Sequence, residues 1–355
     1  MTKLRLKISL ESMKVKSVLH LIIALMAYIS LTSCAASGGN VYPLSSKYLR
    51  TDNLSAELSR IANLNPALAQ LRIIGFSGSE KLPIYALEIG GKAAKRNLLL
   101  IGQHHGDEVL GVNISSAFAE ELIKGYAINE EYKQLLNTCR FWIIPSLNPE
   151  GFRLVSSGEF RFKRKNNTDT DGNKLLDLRT DGVDLNRNYP VFWDLDTDIN
   201  VTSPFYKGKE PVSESEIKAV IALAQEKNFE VAIFLHSSAS GAFNEKIYLP
   251  ARGNNSPLYM QTKALASSYA ASLKKDYLKG TYEVREGYAS EVGNARNFFY
   301  HRMGARAFLV EIGGINKDGK SIIHPDNKML DKIVKKHVRS LGKLFIGYAA
   351  KDAKK

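Results

Sequence analysis

The sequence predicts a single α/β domain built on a mixed, mainly parallel, twisted sheet flanked by helices. Three observations predict it. Apolar runs at 97–101, 229–235 and 307–310 are continuous, and the first reads as a strand buried on both faces. Segments with helical spacing lie between such runs, the alternation expected of layered α/β proteins. Most of the chemically distinctive residues fall at the end of a run or on the loop after it. That is the edge at which open α/β sheets bind ligands.

Taken in order, residues 1–33 read as a signal peptide. Lys3, Arg5, Lys7, Lys14 and Lys16 precede an apolar stretch over 18–31 that is too short for a permanent membrane span. Leu31-Thr32-Ser33-Cys34 is similar to a bacterial lipobox, which implies lipidation of Cys34 and a membrane anchor. Ala35 after the cysteine implies sorting to the outer membrane, and Met13 also fits as a start. Residues 34–53 read as a tether, 54–350 as one folded domain and 351–355 as a basic tail. No internal repeat or Pro/Gly-rich linker divides the middle.

Within the domain, one short helix fits between 53 and 70. Residues 71–75 and 84–89 read as an antiparallel pair around the turn formers Ser77, Gly78 and Ser79. A helix over 109–125 can use Leu110, Val112, Ile114, Phe118 and Leu122 as one face. Residues 139–144 pass from alternating to apolar, which makes Cys139 a buried structural thiol. Ser213-Glu214-Ser215-Glu216 offers a capping box ahead of a helix over 217–227. Later helices fit 258–275 and 326–347.

The formal charge is +13, and residues 1–33 carry five Lys or Arg and one Glu, leaving about +9 after their removal. That charge suits either plain solubility or nearness to anionic envelope polymers. No basic and aromatic platform points to nucleic acid, and a monomer is expected. Beyond Cys34 only Cys139 remains, so no disulfide can form within the mature chain.

The chemistry concentrates in a few places. His105 and Glu108 form an H-x-x-E pair, His236 ends the run at 229–235, and Glu311 closes the run at 307–310. Two imidazoles and a carboxylate suit Zn²⁺ with a fourth position left for water, while a separate carboxylate can take that water's proton. Pro145-Ser146-Leu147-Asn148-Pro149-Glu150-Gly151 and Gly182-Val183-Asp184-Leu185-Asn186-Arg187-Asn188-Tyr189 stand between these landmarks.

In this order, the five elements resemble the zinc metallocarboxypeptidases of the carboxypeptidase A/B type, over residues 70–350. The resemblance implies one Zn²⁺ on His105, Glu108 and His236, with His104 as a neighbour rather than a ligand. It implies that Asp184 orients a zinc-bound histidine and that Glu311 is the general base. Asn186, Arg187 and a loop tyrosine, Tyr288, would bind the substrate's C-terminal carboxylate, for which a guanidinium's planar fork is suited. Arg164 matches the arginine that stabilises the oxyanion, with Arg161, Lys163 and Lys165 as alternatives. Asp107 stands where pancreatic-type relatives carry an arginine. The stretch after Tyr288 would line the pocket for the departing residue. Either Arg296 or Ala295 faces that pocket, or Arg296 lies on the surface beside Glu291.

The leading expectation is a carboxypeptidase acting on peptides, or on peptidoglycan stem peptides, with a free C-terminal carboxylate. An acylamino-acid deacylase shares the zinc arrangement but has a much shorter gap than the 78 residues from Glu108 to Asn186. A peptide-binding lipoprotein without catalysis is the expectation from a different class.

Overall fold

The computed structural model describes residues 44–239, 241, 243–286 and 290–352, and Cys34 and Tyr288 lie outside them. The apolar runs pair side by side. β3 (Arg96–Gly102) lies between β4 (Cys139–Ile144) and β5 (Phe229–Ser237), and β8 (Arg306–Ile312) joins the far side of β5, all parallel. The middles of these strands are apolar and buried because both faces are covered there. The edges are antiparallel. β1 (Ala69–Phe76) and β2 (Pro83–Ile89) form a hairpin that pairs β2 with β4. On the other side β6 (Lys246–Tyr248) runs antiparallel to β8 and parallel to β7 (Glu283–Arg285). Among the described residues the sheet has eight strands in the order β1-β2-β4-β3-β5-β8-β6-β7. It is a mixed sheet with a parallel centre.

Helices flank it. α1 (Thr51–Asn63) packs on β1, while α2 (Leu110–Ile128) packs on β3 and β5 and against the long C-terminal α8 (Asn327–Asp352). Between these lie α3 (Glu130–Thr138), α4 (Pro149–Ser157), α5 (Ser215–Lys227), α6 (Pro257–Ser272) and α7 (Ala295–His301). No helix among the described residues is long and apolar enough to cross a membrane. Cys139 is buried at the start of β4, as a thiol in no disulfide.

Four expectations need correction. The tether expected over 34–53 overlaps the folded domain, because Leu44 and Tyr48 are buried and the Tyr48 hydroxyl donates to the Pro325 carbonyl at 2.9 Å. Two apolar side chains in that stretch had a core to reach. At the other end α8 continues to Asp352, past the expected boundary at 350. The helix α3 was not expected, because only Tyr132, Leu135 and Leu136 of its nine residues are buried. Its one signal was Asn129, whose side chain accepts from the Glu131 amide at 2.7 Å with Glu130 and Glu131 following in the first turn.

The capping box does not form either. Glu214 is the N-cap of α5 and makes no side-chain cap bond. Ser213 instead donates to Glu214 Oε1 at 2.7 Å and accepts from Asn188 Nδ2 at 2.9 Å. Glu216 is fully buried, with Oε1 3.5 Å from Asn166 Nδ2 and Oε2 without a hydrogen-bond partner among the described residues. Burial, and then the Glu150 carboxylate, push the Glu216 carboxyl up from its ordinary 4.5 to about 8. The folded state therefore holds a proton that the unfolded chain releases. Stability is full below the unfolded value and declines as pH rises from about 4.5 through about 8. Glu216→Gln removes this loss. It is expected to be more stable than the parent near pH 9 by roughly 1–3 kcal/mol, with the gain fading below about pH 5. Urea unfolding at both pH values checks it, and an equal effect at the two would refute the assignment.

Candidate active site

The parallel registers bring the site together. Gly102 ends β3 opposite Leu235 of β5, so His104 and His105 emerge beside His236, the next residue of β5. His236 in turn pairs with Glu311 of β8. Three residues far apart in sequence thus meet at the carboxyl edge of the sheet. The turn carrying His105 and Glu108 is closed by a hydrogen bond from the Glu108 amide to the His105 carbonyl at 3.1 Å. Gly106 sits at its tip, where a Cβ would come within 2.5 Å of Gly151 in α4. Only a glycine lets these backbones approach so closely. Asn148 braces the arrangement by capping α4 through Gly151 and donating to the carbonyls of His104 and Arg164, at 2.9, 3.2 and 3.3 Å.

His105 Nδ1 lies 2.8 Å from Glu108 Oε1, and His236 Nδ1 lies 2.8 Å from Glu108 Oε2. The two imidazole nitrogens face each other at 3.2 Å. One donor atom from each of the three buried side chains falls within 4.8 Å of the others, close enough for one ion. Asp184 Oδ1 is 3.0 Å from His105 Nε2. A carboxylate there accepts a hydrogen bond from Nε2–H and leaves the Nδ1 lone pair pointing into the triad, the supporting arrangement that metal-bound histidines use. His236 is held neutral to about pH 4, chiefly by burial. The Glu108 carboxylate stays well below the usual range despite its burial, because His105 and His236 favour its charged form. Zn²⁺ requires neutral imidazoles and a charged carboxylate of its ligands, so His105, which against its burial and the Arg164 charge the Glu108 and Asp184 carboxylates raise to about 9, would release a proton as the ion binds.

Glu311 is the fourth member. Its Oε2 is buried and has no hydrogen-bond partner among the described residues. Burial, followed by the Glu108 charge, pushes its carboxyl up to about 8. An orphaned carboxylate oxygen beside a ligand triad fits a site that takes a cation and a water. His104 stands apart from the triad. Its Nε2 lies 3.0 Å from the Tyr189 hydroxyl, and its ring stacks on His236 at 5.2 Å.

Of the four basic residues at 161–165, Arg164 is the one that turns to the site. It donates to Asp184 Oδ2 through Nη2 at 2.7 Å and through Nε at 3.1 Å. Its Nη1 lies 3.2 Å from His105 Nδ1 and 3.7 Å from Glu108 Oε1. Lys163 and Lys165 instead bury their amines against backbone carbonyls, at Asp181 and at Thr180 and Val201, and Arg161 donates to His324. Asn186 places Nδ2 3.5 Å from His236 Nε2 while its Oδ1 accepts from the Ala295 amide at 2.9 Å. Arg187 is half-buried, and its Nη1 donates to the Asn186 carbonyl at 2.8 Å.

Phe205 was missed by the sequence reading. Its ring lies 5.2 Å from the Arg164 guanidinium and 5.7 Å from that of Arg187, so one aromatic ring is within cation–π reach of both cations. An isolated phenylalanine in a polar loop carries no periodic signal, and only the adjacent Pro204 marked a turn. Asn148 was visible inside its motif without a role attached.

Fold and site together define a class of α/β proteins that hold a divalent cation at the carboxyl edge of a mixed sheet. The chain belongs to the zinc carboxypeptidase family, whose model matches residues 54–340. It is 27% identical over 256 residues to the catalytic chain of carboxypeptidase N from Rattus norvegicus, covering 65% of this chain and 53% of that one. It is also 27% identical over 243 residues to human mast cell carboxypeptidase A, with coverages of 67% and 55%. The chain thus spans about half the length of these curated relatives. Among solved structures, carboxypeptidase A from Helicoverpa armigera superposes with a TM-score of 0.72 at 20% identity, covering 95% of this chain and 82% of the other. Bovine thrombin-activatable fibrinolysis inhibitor, in complex with tick carboxypeptidase inhibitor, superposes at 0.70 and 20%, with coverages of 86% and 98%. At these identities the two structures bear on the fold alone.

Proposed function

We propose that the protein is a zinc-dependent carboxypeptidase that hydrolyses the C-terminal peptide bond of peptides in a bacterial envelope. The observation that carries this reading is the position of Arg187. Its half-buried guanidinium shares the Phe205 ring with Arg164 and adjoins Asn186, whose side chain reaches His236. Burial lowers its pKa, and so does the Arg164 charge. A bound carboxylate relieves both penalties. With the substrate's last carboxylate on Arg187, the peptide bond one residue away comes to the triad.

His105, Glu108 and His236 would hold a Zn²⁺, which when bound would supply Lewis acidity at this edge of the sheet. Glu311 Oε2 takes the proton of the attacking water and passes it to the leaving amine nitrogen. Arg164 Nη1, held by the Asp184 clamp, donates to the oxygen on which charge develops. Asn186 and Arg187 position the substrate end.

Peptides with a free C-terminus are expected to be cleaved at least about 10²-fold faster than their C-terminal amides, since the amide loses a charge-assisted pair at Arg187. Arg187→Ala should raise KM for the free acid far more than it lowers kcat. Amides cleaved as fast as acids would overturn carboxylate capture. Purified muropeptides, compared with linear peptides in the same assay, separate stem-peptide trimming from general peptide turnover.

The lipobox-like Leu31-Thr32-Ser33-Cys34 supports a lipid anchor on Cys34 and a place on the periplasmic face of the outer membrane. Cys34→Ser is expected to halt processing or to shift the protein into the soluble fraction. Unchanged processing and membrane retention would exclude that anchor.

A further inference from the structure

We propose that Glu214 is a positioning residue that ties the loop carrying Arg164 to the loop carrying Arg187, and so sets the spacing between the two guanidiniums. The inference rests on the carboxypeptidase reading and adds a residue to it. It starts from a helix cap that is not made. Glu214 stands at the N-cap of α5, where a side-chain acceptor ordinarily satisfies a free amide of the first turn, yet its side chain makes no cap bond. The carboxyl turns to the loops instead. Its Oε2 accepts from Asn166 Nδ2 and from Thr168 Oγ1, each at 2.6 Å, and its Oε1 accepts from Ser213 Oγ at 2.7 Å. Glu214 is 6% exposed, and Asn166 and Asn188 are fully buried, so water competes little for these bonds.

On one side the tie runs to Arg164. Asn166 lies two residues beyond it and is bound to the loop that leads into Asp184. The Asn166 amide donates to the Val183 carbonyl at 3.2 Å, and Asn166 Oδ1 accepts from the Val183 amide at 2.8 Å. Gly182 has φ of +103°, and a Cβ there would lie 2.0 Å from the Asn166 carbonyl oxygen, so only glycine lets the two backbones pass. On the other side the tie runs to Arg187, whose next residue is Asn188. Asn188 Oδ1 accepts from the Glu214 amide at 3.1 Å, and its Nδ2 donates to Ser213 Oγ at 2.9 Å. Its carbonyl accepts from the Val212 amide at 2.8 Å. The side chain of Glu214 thus holds the first loop and its backbone holds the second.

Two physical reasons call for such a tie. Arg164 and Arg187 both lie within cation–π reach of the Phe205 ring, and their like charges push the loops apart. Residues 158–184 contain no helix or strand, so backbone ladders do not fix their place. The spacing matters because a peptide anchored on Arg187 presents its scissile carbonyl at a distance set by covalent geometry. Arg164 meets the developing charge only where the loops match that distance, and a misplacement of about 1 Å can cost about 10²-fold.

The test compares Glu214→Ala and Glu214→Gln, as zinc-loaded full chains, on an N-blocked dipeptide and its C-terminal amide, with zinc content measured in parallel. Glutamine can keep all three partners, its Oε1 accepting from Asn166 and Thr168 and its Nε2 donating to Ser213 Oγ. Glu214→Gln is therefore expected within about threefold of the parent. Glu214→Ala should lose at least about tenfold in kcat/KM for the free acid and lower the acid-to-amide ratio, at unchanged zinc content. Two further variants loosen one side each, and they decide the matter where Glu214→Ala does not fold. Thr168→Val should lower kcat by about threefold with KM steady, and Ser213→Ala should raise KM by about threefold with kcat steady. A merely structural loss would move both constants alike in both variants. That outcome, an acid-to-amide ratio in Glu214→Ala equal to the parent's, or a Glu214→Gln as impaired as Glu214→Ala would overturn the inference and leave the carboxypeptidase reading intact. A parent protein that cleaves the amide as fast as the acid would overturn both.

Discussion

Replacing Glu311 by Gln is expected to lower kcat by about 10³-fold or more while leaving zinc content and substrate affinity within a few-fold of the parent. Glutamine has the shape of glutamate, so the β5–β8 register that sets Glu311 opposite His236 is untouched. What disappears is the ability of Oε2 to accept a proton. That oxygen is buried, and no described side chain stands ready to replace it. Zinc should remain, because the three converging donor atoms belong to His105, Glu108 and His236. Affinity should remain, because carboxylate capture is assigned to Asn186 and Arg187. Steady-state kinetics, metal analysis and binding of an uncleaved substrate analogue read these three quantities separately. Turnover within about tenfold of the parent would remove Glu311 from the proton path, and loss of zinc would make it a metal ligand.

His236→Ala should have the largest effect on metal. The purified parent is expected to hold close to one Zn²⁺ per chain and the variant a small fraction of that under chelator competition. The physical reason is the geometry of Glu108, whose two oxygens each face one imidazole at 2.8 Å. Losing one imidazole removes a ligand and leaves Oε2 with only the Ser237 amide at 3.0 Å. Asp184→Asn should be milder, about 10–100-fold in affinity, since Asp184 aims the His105 ring without meeting the ion. A thermal-shift series adds a readout independent of activity. Added zinc should raise the Tm of the parent by mass action and do little for the His236 variant. Undiminished zinc in that variant would dissolve the triad as assigned.

The elements that were legible are those with a local signature. The apolar runs of β3, β5 and β8 and the helical spacing of α2 all show up in windows of a few residues. The H-x-x-E pair is legible for the same reason, because three residues of separation in a turn already bring two side chains together. β6 and β7, of three residues each, are too short for a period to register. Glu216 read as a cap because Ser-Glu-Ser-Glu is a capping pattern. Its burial beside Glu150 depends on what packs over α5, which no local window contains.

The sequence by itself determined the chemistry available to this protein: two imidazoles and a carboxylate suited to zinc, a separate carboxylate for proton transfer, and arginines able to hold an anion. Residue identity carries ligand type, charge and donor geometry, and these do not wait for folding. The tertiary structure alone decided which of these groups meet. It turned Arg164 toward His105 and its basic neighbours Lys163 and Lys165 onto carbonyls, brought Phe205 within reach of two guanidiniums, and buried Arg296. Those choices rest on strand register and helix seating between segments scores of residues apart. Contacts of that kind are set by the packing of the whole sheet, and no short stretch of chain encodes them.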